Sequence, residues 1–225
     1  MNYVVTGSSS GLGYSLARKL LKKGNVIGLS RRDPNIIVEE CSGHHYNHVY
    51  ADLGISNVFS DSASAIENLK EKLQNNEFTL VINAGAFYSG SQRLSSDERS
   101  KMFCVNLFSV MDLVNRLEKL NLKRIFFINS ISGLIGQSQQ HEYASSKHGL
   151  MGYIRSLIKD AQRMPYDVMA INPGGINTEL WEEYPTIDTN DFLNPDELAK
   201  IIVSLISIEQ RVFIPSFTII PPSDL

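Results

Sequence analysis

The stretch Met1-Asn2-Tyr3-Val4-Val5-Thr6-Gly7-Ser8-Ser9-Ser10-Gly11-Leu12-Gly13 joins a short apolar run to a glycine-rich loop, and leucines at helical spacing follow as far as Lys23. A strand that enters a helix through glycines directs backbone N–H groups and a helix N-terminus at a phosphate. Glycine is needed where the backbone must turn sharply or approach a ligand closely. The order therefore favours a phosphate-binding loop over an ordinary tight turn, although the spacing is G-x-x-x-G-x-G and not the common G-x-G-x-x-G.

The rest of the chain repeats this alternation of strand-like and helical segments. Strand-like runs are Tyr3–Val5, Val26–Leu29, His48–Tyr50, Leu80–Ile82, Ile125–Ile128, Val168–Ile171 and Phe217–Ile220. Helical patterns are Leu12–Lys23, Ser56–Leu73, Glu98–Leu120, Glu142–Arg163 and Pro195–Ile208, the last beginning with a capping Asn194. Such alternation predicts βαβ units. We expect an α/β fold: a Rossmann-type doubly wound parallel sheet of about seven strands, with helices on both faces, in one domain of residues 1–225.

Composition excludes several classes of protein. The chain has 21 basic and 24 acidic residues and a net charge of −3, which provides no basic field for nucleic acid or for a membrane surface. No apolar run approaches the roughly 20 residues of a membrane-spanning helix. Cys41 and Cys104 lie far apart and lack metal-ligand spacing. We predict a soluble, cytoplasmic protein with reduced thiols, no metal site, and neither nucleic acid nor a membrane as partner.

Tyr143 and Lys147 are four residues apart in a helical pattern, so their side chains share one face. Such a pair is common by chance, and its significance depends on the motifs that accompany it. Those motifs are Thr6-Gly7-x-x-x-Gly11-x-Gly13, Asp52-Leu53, Asn83-Ala84-Gly85, Asn106, Ser130 and Asn172-Pro173-Gly174-Gly175-Ile176-Asn177-Thr178. In this order and spacing the chain resembles the compact, single-domain branch of the short-chain dehydrogenase/reductase family over nearly its whole length.

The resemblance implies a catalytic set of Asn106, Ser130, Tyr143 and Lys147. Hydride delivery to a carbonyl leaves negative charge on oxygen, so a positioned acid, Tyr143, must supply a proton. A lysine cation nearby favours the phenolate, and Lys147 is therefore expected to lower the pKa of Tyr143 and to bind the nicotinamide ribose. Ser130 would stabilise the charge on the substrate oxygen, and Asn106 would hold a water that links Lys147 to solvent.

The resemblance also implies the residues that contact the cofactor. They are Gly7, Ser9, Ser10, Gly11, Leu12, Gly13, Ser30, Arg31, Arg32, Asp52, Leu53, Asn83, Ala84, Gly85, Tyr143, Lys147, Pro173, Gly174, Ile176 and Thr178.

The end of the second strand bears on the choice between NADP(H) and NAD(H). NAD sites usually place an acid there, whereas an arginine accommodates a 2′-phosphate. Here Ser30 stands in the place of the acid and Arg31 and Arg32 follow, which favours NADP(H). In the alternative interpretation, Asp33 is the acid of an NAD site. It precedes Pro34, however, and suits the cap of a short helix over Pro34–Glu40.

Substrate contacts are implied for residues 134–142 and for a lid at about 179–194, which contains Trp181 and Tyr184. These two aromatic residues either close over a small substrate or simply pack locally. The chain lacks the family's common Val-Asp-Gly-Gly ending, which argues against an acyl-carrier-protein reductase. The helices Glu98–Leu120 and Glu142–Arg163 pair in many members, which implies a homodimer or homotetramer.

The favoured function is an NAD(P)(H)-dependent oxidoreductase that moves a hydride to or from a small carbonyl or alcohol, as an NADPH-dependent carbonyl reductase. A catalytically weak nucleotide-binding or sensing protein on the same fold is the alternative. A sugar-nucleotide epimerase or dehydratase shares the Tyr-x-x-x-Lys pair, but its substrate domain needs more than 225 residues.

Overall fold

A computed structural model of the chain describes residues 1–34, 36, 43–55, 63–90, 93–160, 164–209 and 212–222. Within these ranges the strands form a single sheet in the order β3-β2-β1-β4-β5-β6-β7, and every neighbouring pair is parallel. The strands are β1 (Asn2–Thr6), β2 (Asn25–Ser30), β3 (Tyr46–Tyr50), β4 (Phe78–Ile82), β5 (Leu122–Ile128), β6 (Asp167–Pro173) and β7 (Ser216–Ile219). The predicted seven-stranded, doubly wound α/β fold is confirmed.

The described helices follow the predicted segments closely. They are α1 (Gly11–Leu21), α2 (Ala63–Leu73), α3 (Ser96–Phe103), α4 (Ser109–Leu117), α5 (His141–Asp160) and α6 (Pro195–Ile206). Asn194 caps α6 as predicted, because its side-chain oxygen accepts hydrogen bonds from the backbone N–H groups of Asp196 and Glu197. The predicted Pro34–Glu40 helix and the first part of Ser56–Leu73 lie outside the described residues. Of the helices described, none is long and apolar enough to span a membrane.

The sheet is covered on both faces, and alternate residues of a strand point to opposite layers. In β4, Leu80 packs with α2, α4 and α5, whereas Val81 packs with α1 and α6. Both layers are apolar, so the central strands read as continuous hydrophobic runs. Cys104, the one cysteine within the described ranges, is free and buried, and Cys41 lies outside them.

The predicted helix Glu98–Leu120 is not continuous. Between α3 and α4 the residues Cys104–Phe108 form one π turn, in which the backbone N–H of Ser109 donates to the carbonyl of Cys104. A π turn inserts a residue into the helix and is frequent at functional sites. Here it contains Asn106, which is fully buried.

The strand order reverses between β1 and β4, which continue in opposite directions across the sheet. Ligands of open α/β sheets bind in the crevice at the carboxyl ends of the strands at such a switch point. The glycine loop after β1, the Asn83 turn after β4, and Ser130 after β5 all lie at that edge. The fold therefore brings together segments that are far apart in the sequence.

Candidate active site

The glycine loop has the backbone geometry that a bound phosphate requires. Gly7 and Gly11 have φ values of +67° and +51°, in the left-handed region that glycine adopts without strain. A Cβ on Gly13 would collide with the carbonyl oxygen of Gly7, so the start of α1 can lie against the loop only because this residue is glycine. The first N–H groups of α1 have no intrahelical partner, and they face the crevice end of the sheet. The loop fits a pyrophosphate.

The turn after β4 is tied to the glycine loop by Thr6 and Asn83. The hydroxyl of Thr6 accepts hydrogen bonds of 3.0 Å from the backbone N–H groups of both Asn83 and Ala84. The side-chain amide of Asn83 donates to the carbonyls of Thr6 and Gly7, at 3.2 and 3.4 Å. Asn83, predicted as a cofactor contact, thus uses its amide hydrogens to hold the loop.

At the end of β2 the structure separates a buried residue from two exposed ones. Ser30 is buried, and its hydroxyl donates to the carbonyl of Arg32 at 2.7 Å. Arg31, Arg32 and Asp33 are all exposed at this edge of the sheet. Both arginines are therefore available to a ligand whose adenosine lies over the end of β2.

The Asp52-Leu53 pair after β3 has a divided role. The Asp52 carboxylate accepts a hydrogen bond from the backbone N–H of Gly54 at 3.0 Å, which forms a local turn. The side chain of Leu53 is buried in the core layer of α2, α4 and α5. Only the backbone of Leu53 therefore remains to meet an adenine ring.

Ser130 and Tyr143 are brought together by the short helical turn that follows β5. The backbone N–H of Ser132 donates to the Ser130 hydroxyl oxygen at 3.1 Å, which fixes that side chain. The Ser130 hydroxyl also forms a hydrogen bond with the phenol of Tyr143, in which either oxygen can be the donor. Burial raises the pKa of Tyr143, and this hydrogen bond acts in the opposite direction by stabilising the phenolate. Ser130 and Tyr143, which the resemblance pairs, are therefore in hydrogen-bond contact.

Lys147 lies one helical turn after Tyr143, with its ammonium nitrogen 5.8 Å from the centroid of the tyrosine ring. Its side chain is buried, and burial lowers its pKa to about 8, because the cation loses hydration. That Lys147 lowers the pKa of Tyr143 stays a prediction. In the structure, desolvation disfavours the charged form of Lys147, and a hydrogen bond with Ser130 favours the phenolate of Tyr143.

Asn106 uses its side chain to connect three elements. Its amide group donates to the carbonyl of Ala86 at 2.8 Å and to the hydroxyl of Ser146 at 2.9 Å. Its oxygen accepts from the backbone N–H of Ala86, also at 2.8 Å. Both amide hydrogens are thus engaged by protein. A water on the path to Lys147, the predicted role, would have to bind the side-chain oxygen or a backbone carbonyl.

The segment after β6 reaches back to the glycine loop. Pro173 is buried, whereas Gly174 and Ile176 are partly exposed. A Cβ on Gly11 would lie 3.0 Å from the methyl group of Thr178, so Thr178 covers the pyrophosphate loop directly. The predicted lid begins at the next residue, Glu179.

The base of the lid is closed by backbone hydrogen bonds. Asn177 N–H donates to the carbonyl of Leu193, and Leu193 N–H donates to the carbonyl of Gly175, both at 2.9 Å. The aromatic residues of the lid are anchored as well. The indole N–H of Trp181 donates to the Ile176 carbonyl at 2.6 Å, and the Tyr184 hydroxyl donates to the Phe87 carbonyl at 3.3 Å.

Phe87 forms the contact between this lid and Tyr143, the predicted catalytic acid. Its ring centroid lies 4.8 Å from that of Tyr143, 5.0 Å from Trp181 and 5.3 Å from Tyr184, each in an edge-to-face arrangement. Such pairs are favourable beyond the area that they bury. We call Phe87, Trp181 and Tyr184 the aromatic wall, since together they bound one side of Tyr143.

Several residues of the site had no signal in a sequence motif. Phe87 and Ser146 carry neither a charge nor a motif position, and their importance comes from contacts with Tyr143 and Asn106. Ser8, the serine of the glycine loop omitted from the predicted contacts, is fully buried. Only its neighbours in space identify it.

Comparisons with known proteins agree with this geometry. The family model described as short chain dehydrogenase matches residues 2–187. The 3-oxoacyl-(acyl-carrier-protein) reductase FabG of Buchnera aphidicola subsp. Acyrthosiphon pisum is 29% identical over 84% of this chain and 79% of its own length. The structure of 4-hydroxyisoleucine dehydrogenase complexed with NADH has a TM-score of 0.78 at 26% identity, covering 98% of this chain and 97% of that one.

A short chain dehydrogenase from Burkholderia cenocepacia, in complex with NADP, has a TM-score of 0.83 at 21% identity and covers 99% of this chain and 97% of its own. That similarity supports the fold. The two neighbours hold different nicotinamide dinucleotides, NADH and NADP, so the cofactor preference of this chain has to be inferred from its own residues.

Proposed function

The chain belongs to the short-chain dehydrogenase family and is an oxidoreductase, and we propose that it transfers a hydride between NADP(H) and a small carbonyl or alcohol, as an NADPH-dependent carbonyl reductase. The observation that carries the proposal is the hydrogen bond between the hydroxyl groups of Ser130 and Tyr143, with Lys147 buried one turn away at the same edge of the sheet. Such an arrangement can protonate a substrate oxygen that lies in the crevice at this edge of the sheet.

The residues divide the acid–base work between them. Tyr143 donates a proton to the substrate oxygen as negative charge develops there, and Ser130 donates a hydrogen bond to the same region. At neutral pH a lysine with a pKa of about 8 is mainly protonated, so Lys147 stabilises the phenolate that remains after the proton leaves. The bound nicotinamide supplies the hydride.

Cofactor binding would begin at the glycine loop. The left-handed glycines Gly7 and Gly11 and the N-terminus of α1 would hold the pyrophosphate, and Thr178 would cover it. Gly85 lies between the side chains of Asn106 and Lys147, each 3.6 Å from the position that a Cβ would take. A ribose at Gly85 would therefore meet Lys147 without obstruction.

The preference for NADP(H) follows from the end of β2. An NAD-type acid would occupy the position of Ser30, which is buried and engaged with Arg32, whereas two exposed arginines follow it. A guanidinium forms paired hydrogen bonds with the 2′-phosphate of NADP(H). The 2′-hydroxyl of NAD(H) cannot form such a pair. Relatives with NADP and with NADH both exist, and the arginines favour the former here.

The aromatic wall supports a small substrate. The ring of Phe87 packs on Tyr143, and Trp181 and Tyr184, held by their own hydrogen bonds, pack behind Phe87, so the three rings limit the space at the acid. Reduction of a 3-oxoacyl thioester is the second candidate, because curated relatives at up to 29% identity carry that activity in their names. The two candidates differ in the size of the group beside the carbonyl.

The proposal extends to the assembly and location of the protein. A cytoplasmic homodimer or homotetramer would use α3, α4 and α5, where Met111 of α4 and the neighbouring Phe108 of the π turn are exposed. Size-exclusion chromatography with light scattering measures the oligomeric state directly. A monomer would contradict it.

Purified protein should be titrated with NADPH and with NADH, following nucleotide fluorescence. Arg31→Ala and Arg32→Ala should each weaken NADPH binding, together by about tenfold or more, and leave NADH nearly unchanged. Equal binding of the two nucleotides by the wild type would contradict the preference. Failure to bind either would contradict the whole proposal.

Activity should then be measured as NADPH consumption with a panel of small aldehydes and ketones, and with acetoacetyl-coenzyme A as the thioester probe. We expect the higher kcat/KM with a small carbonyl compound. A higher value with the thioester would establish the second candidate. Binding without turnover of any compound, unaffected by Tyr143→Phe, would instead support the nucleotide-sensing alternative.

A further inference from the structure

Strand β3 places two polar side chains beneath the cofactor edge of its neighbours. Tyr46 and His48 are two residues apart, so they project from the same face of the strand. The hydroxyl groups of Tyr46 and Ser8 are 3.0 Å apart. The Nε2 atom of His48 lies 3.0 Å from the carbonyl oxygen of Ser30 and 3.2 Å from its hydroxyl oxygen. The strand thus contacts the glycine loop with one side chain and the end of β2 with the other.

The contacts of His48 determine which atom carries hydrogen. A carbonyl oxygen only accepts, so the Nε2 atom of His48 must be the donor to Ser30. The Ser30 hydroxyl gives its own hydrogen to the carbonyl of Arg32 at 2.7 Å, and it therefore accepts from His48. His48 holds both the backbone and the rotamer of Ser30, and Ser30 holds the turn that carries Arg31 and Arg32.

Building on the proposed preference for NADP(H), we propose that His48 is a positioning residue for cofactor specificity. It acts through Ser30 to hold the Arg31–Arg32 turn in the conformation that receives a ribose 2′-phosphate. His48 itself does not contact the ligand in this proposal. The gain is pre-organisation: two arginines already oriented lose less conformational freedom on binding the phosphate.

Tyr46 provides the matched control, because it serves the other part of the cofactor. Its hydroxyl and that of Ser8 occupy the space where a Cβ on Gly28 would lie, directly under the glycine loop. Burial raises the pKa of Tyr46 to about 12, so the phenol is neutral and remains a stable hydrogen-bonding partner. The pyrophosphate above this loop is common to NADPH and NADH, so a change at Tyr46 should affect both nucleotides alike.

The test compares dissociation constants for NADPH and NADH in the full chain. His48→Phe keeps a planar ring and removes the donor, and it should lower the ratio of the NADH to the NADPH dissociation constant by about threefold to tenfold. His48→Gln retains an N–H group at a similar reach and should keep the ratio within about twofold of the wild type. Tyr46→Phe should weaken both nucleotides and leave the ratio unchanged.

Ser30→Ala provides an independent route, since it removes the hydroxyl between His48 and Arg32. It should reduce the ratio of the NADH to the NADPH dissociation constant, as is expected for His48→Phe. The proposal can therefore be tested even if His48→Phe does not fold. If the wild type prefers NADPH, and His48→Phe and Ser30→Ala keep its ratio of dissociation constants, the role of His48 is overturned and the proposed NADP(H) preference stands. A wild type without that preference would overturn the role of His48 and the proposed NADP(H) preference together.

Discussion

The side chain of Asn106 donates a hydrogen bond of 2.9 Å to the hydroxyl of Ser146, which links the π turn to α5 one residue before Lys147. Ser146 passes the interaction on, because its hydroxyl donates to the carbonyl of Tyr143 at 2.7 Å. The two buried residues therefore connect the turn at Ala86 with the helix that carries Tyr143 and Lys147.

Asn106→Ala should destabilise the protein. The change leaves the backbone N–H and carbonyl of Ala86 without their buried partner, and unsatisfied buried groups cost about 1–3 kcal/mol each. We expect a loss of about 2–4 kcal/mol in the free energy of unfolding by urea. Ser146→Ala, which removes one partner of the same network, should lose less. Equal stability of Asn106→Ala and wild type would show that water replaces the amide.

Tyr143→Phe should abolish reduction while the fold and the cofactor site remain. The variant lacks the acid, and positioned acid–base groups typically contribute about 10²–10⁴-fold to the rate. Ser130→Ala should lose less, because the phenol remains as a proton donor. Rates of NADPH consumption with a small ketone, compared with NADPH affinity, measure both effects. If Tyr143→Phe retained full activity, another group would be the proton donor.

Lys147→Met should change the dependence of stability on pH. Burial holds the pKa of Lys147 at about 8 in the folded protein, below the ordinary lysine value of 10.5 that applies in the unfolded chain. The unfolded chain therefore binds more protons between these values, and the stability of wild type rises with pH across them. The cost of burying the cation, roughly 3 kcal/mol, is fully present below about pH 8.

The methionine variant should accordingly exceed wild type in stability below pH 8, and this advantage should shrink toward pH 10.5. Urea unfolding of both proteins at several pH values measures the difference. The raised pKa of Tyr143 belongs to both proteins, so it largely cancels in the comparison. A difference that is constant with pH would contradict the lowered lysine pKa.

Phe87→Ala should open the aromatic wall beside Tyr143. Trp181 is the only tryptophan of the chain, so its emission reports on this wall alone. Loss of the Phe87 ring exposes the indole to water, and we expect a red shift of its emission and a stability loss of about 1–3 kcal/mol. Phe87→Leu is the matched control that keeps apolar volume.

Activity adds a second measure of the aromatic wall. With Phe87→Ala, kcat/KM for bulky ketones should rise relative to that for small ones, because the side of the acid is less confined. Unchanged emission together with an unchanged substrate ratio would place the lid away from Tyr143 in solution.

Local sequence features were sufficient where the physical cause is local. Asn194-Pro195 predicted the start of α6 because capping and the proline ring act within one turn. Apolar runs predicted the strands because buried parallel strands need apolar residues on both faces. The glycine loop was predicted because left-handed backbone at Gly7 and Gly11 is accessible to few other residues.

Periodicity did not predict the π turn, because the helical pattern continues through Glu98–Leu120 and hides the extra residue. Its position agrees with the contacts of Asn106 with Ala86 and Ser146, which lie 20 and 40 residues away. The spacing of Tyr143 and Lys147 predicted a shared helix face. It did not predict their burial, which decides the pKa of both groups.

The sequence by itself determined the order of strands and helices, and it predicted a phosphate-binding loop and Tyr143 as the acid, since periodicity, glycine geometry and residue chemistry are all readable along the chain. Only the tertiary structure decided which groups surround them: Ser130 hydrogen-bonded to Tyr143, Phe87 beside that ring, and His48 behind Ser30. These residues act through contacts made when parallel strands bring distant segments to one edge. Such contacts have no period and no motif, because they exist only once the chain has folded.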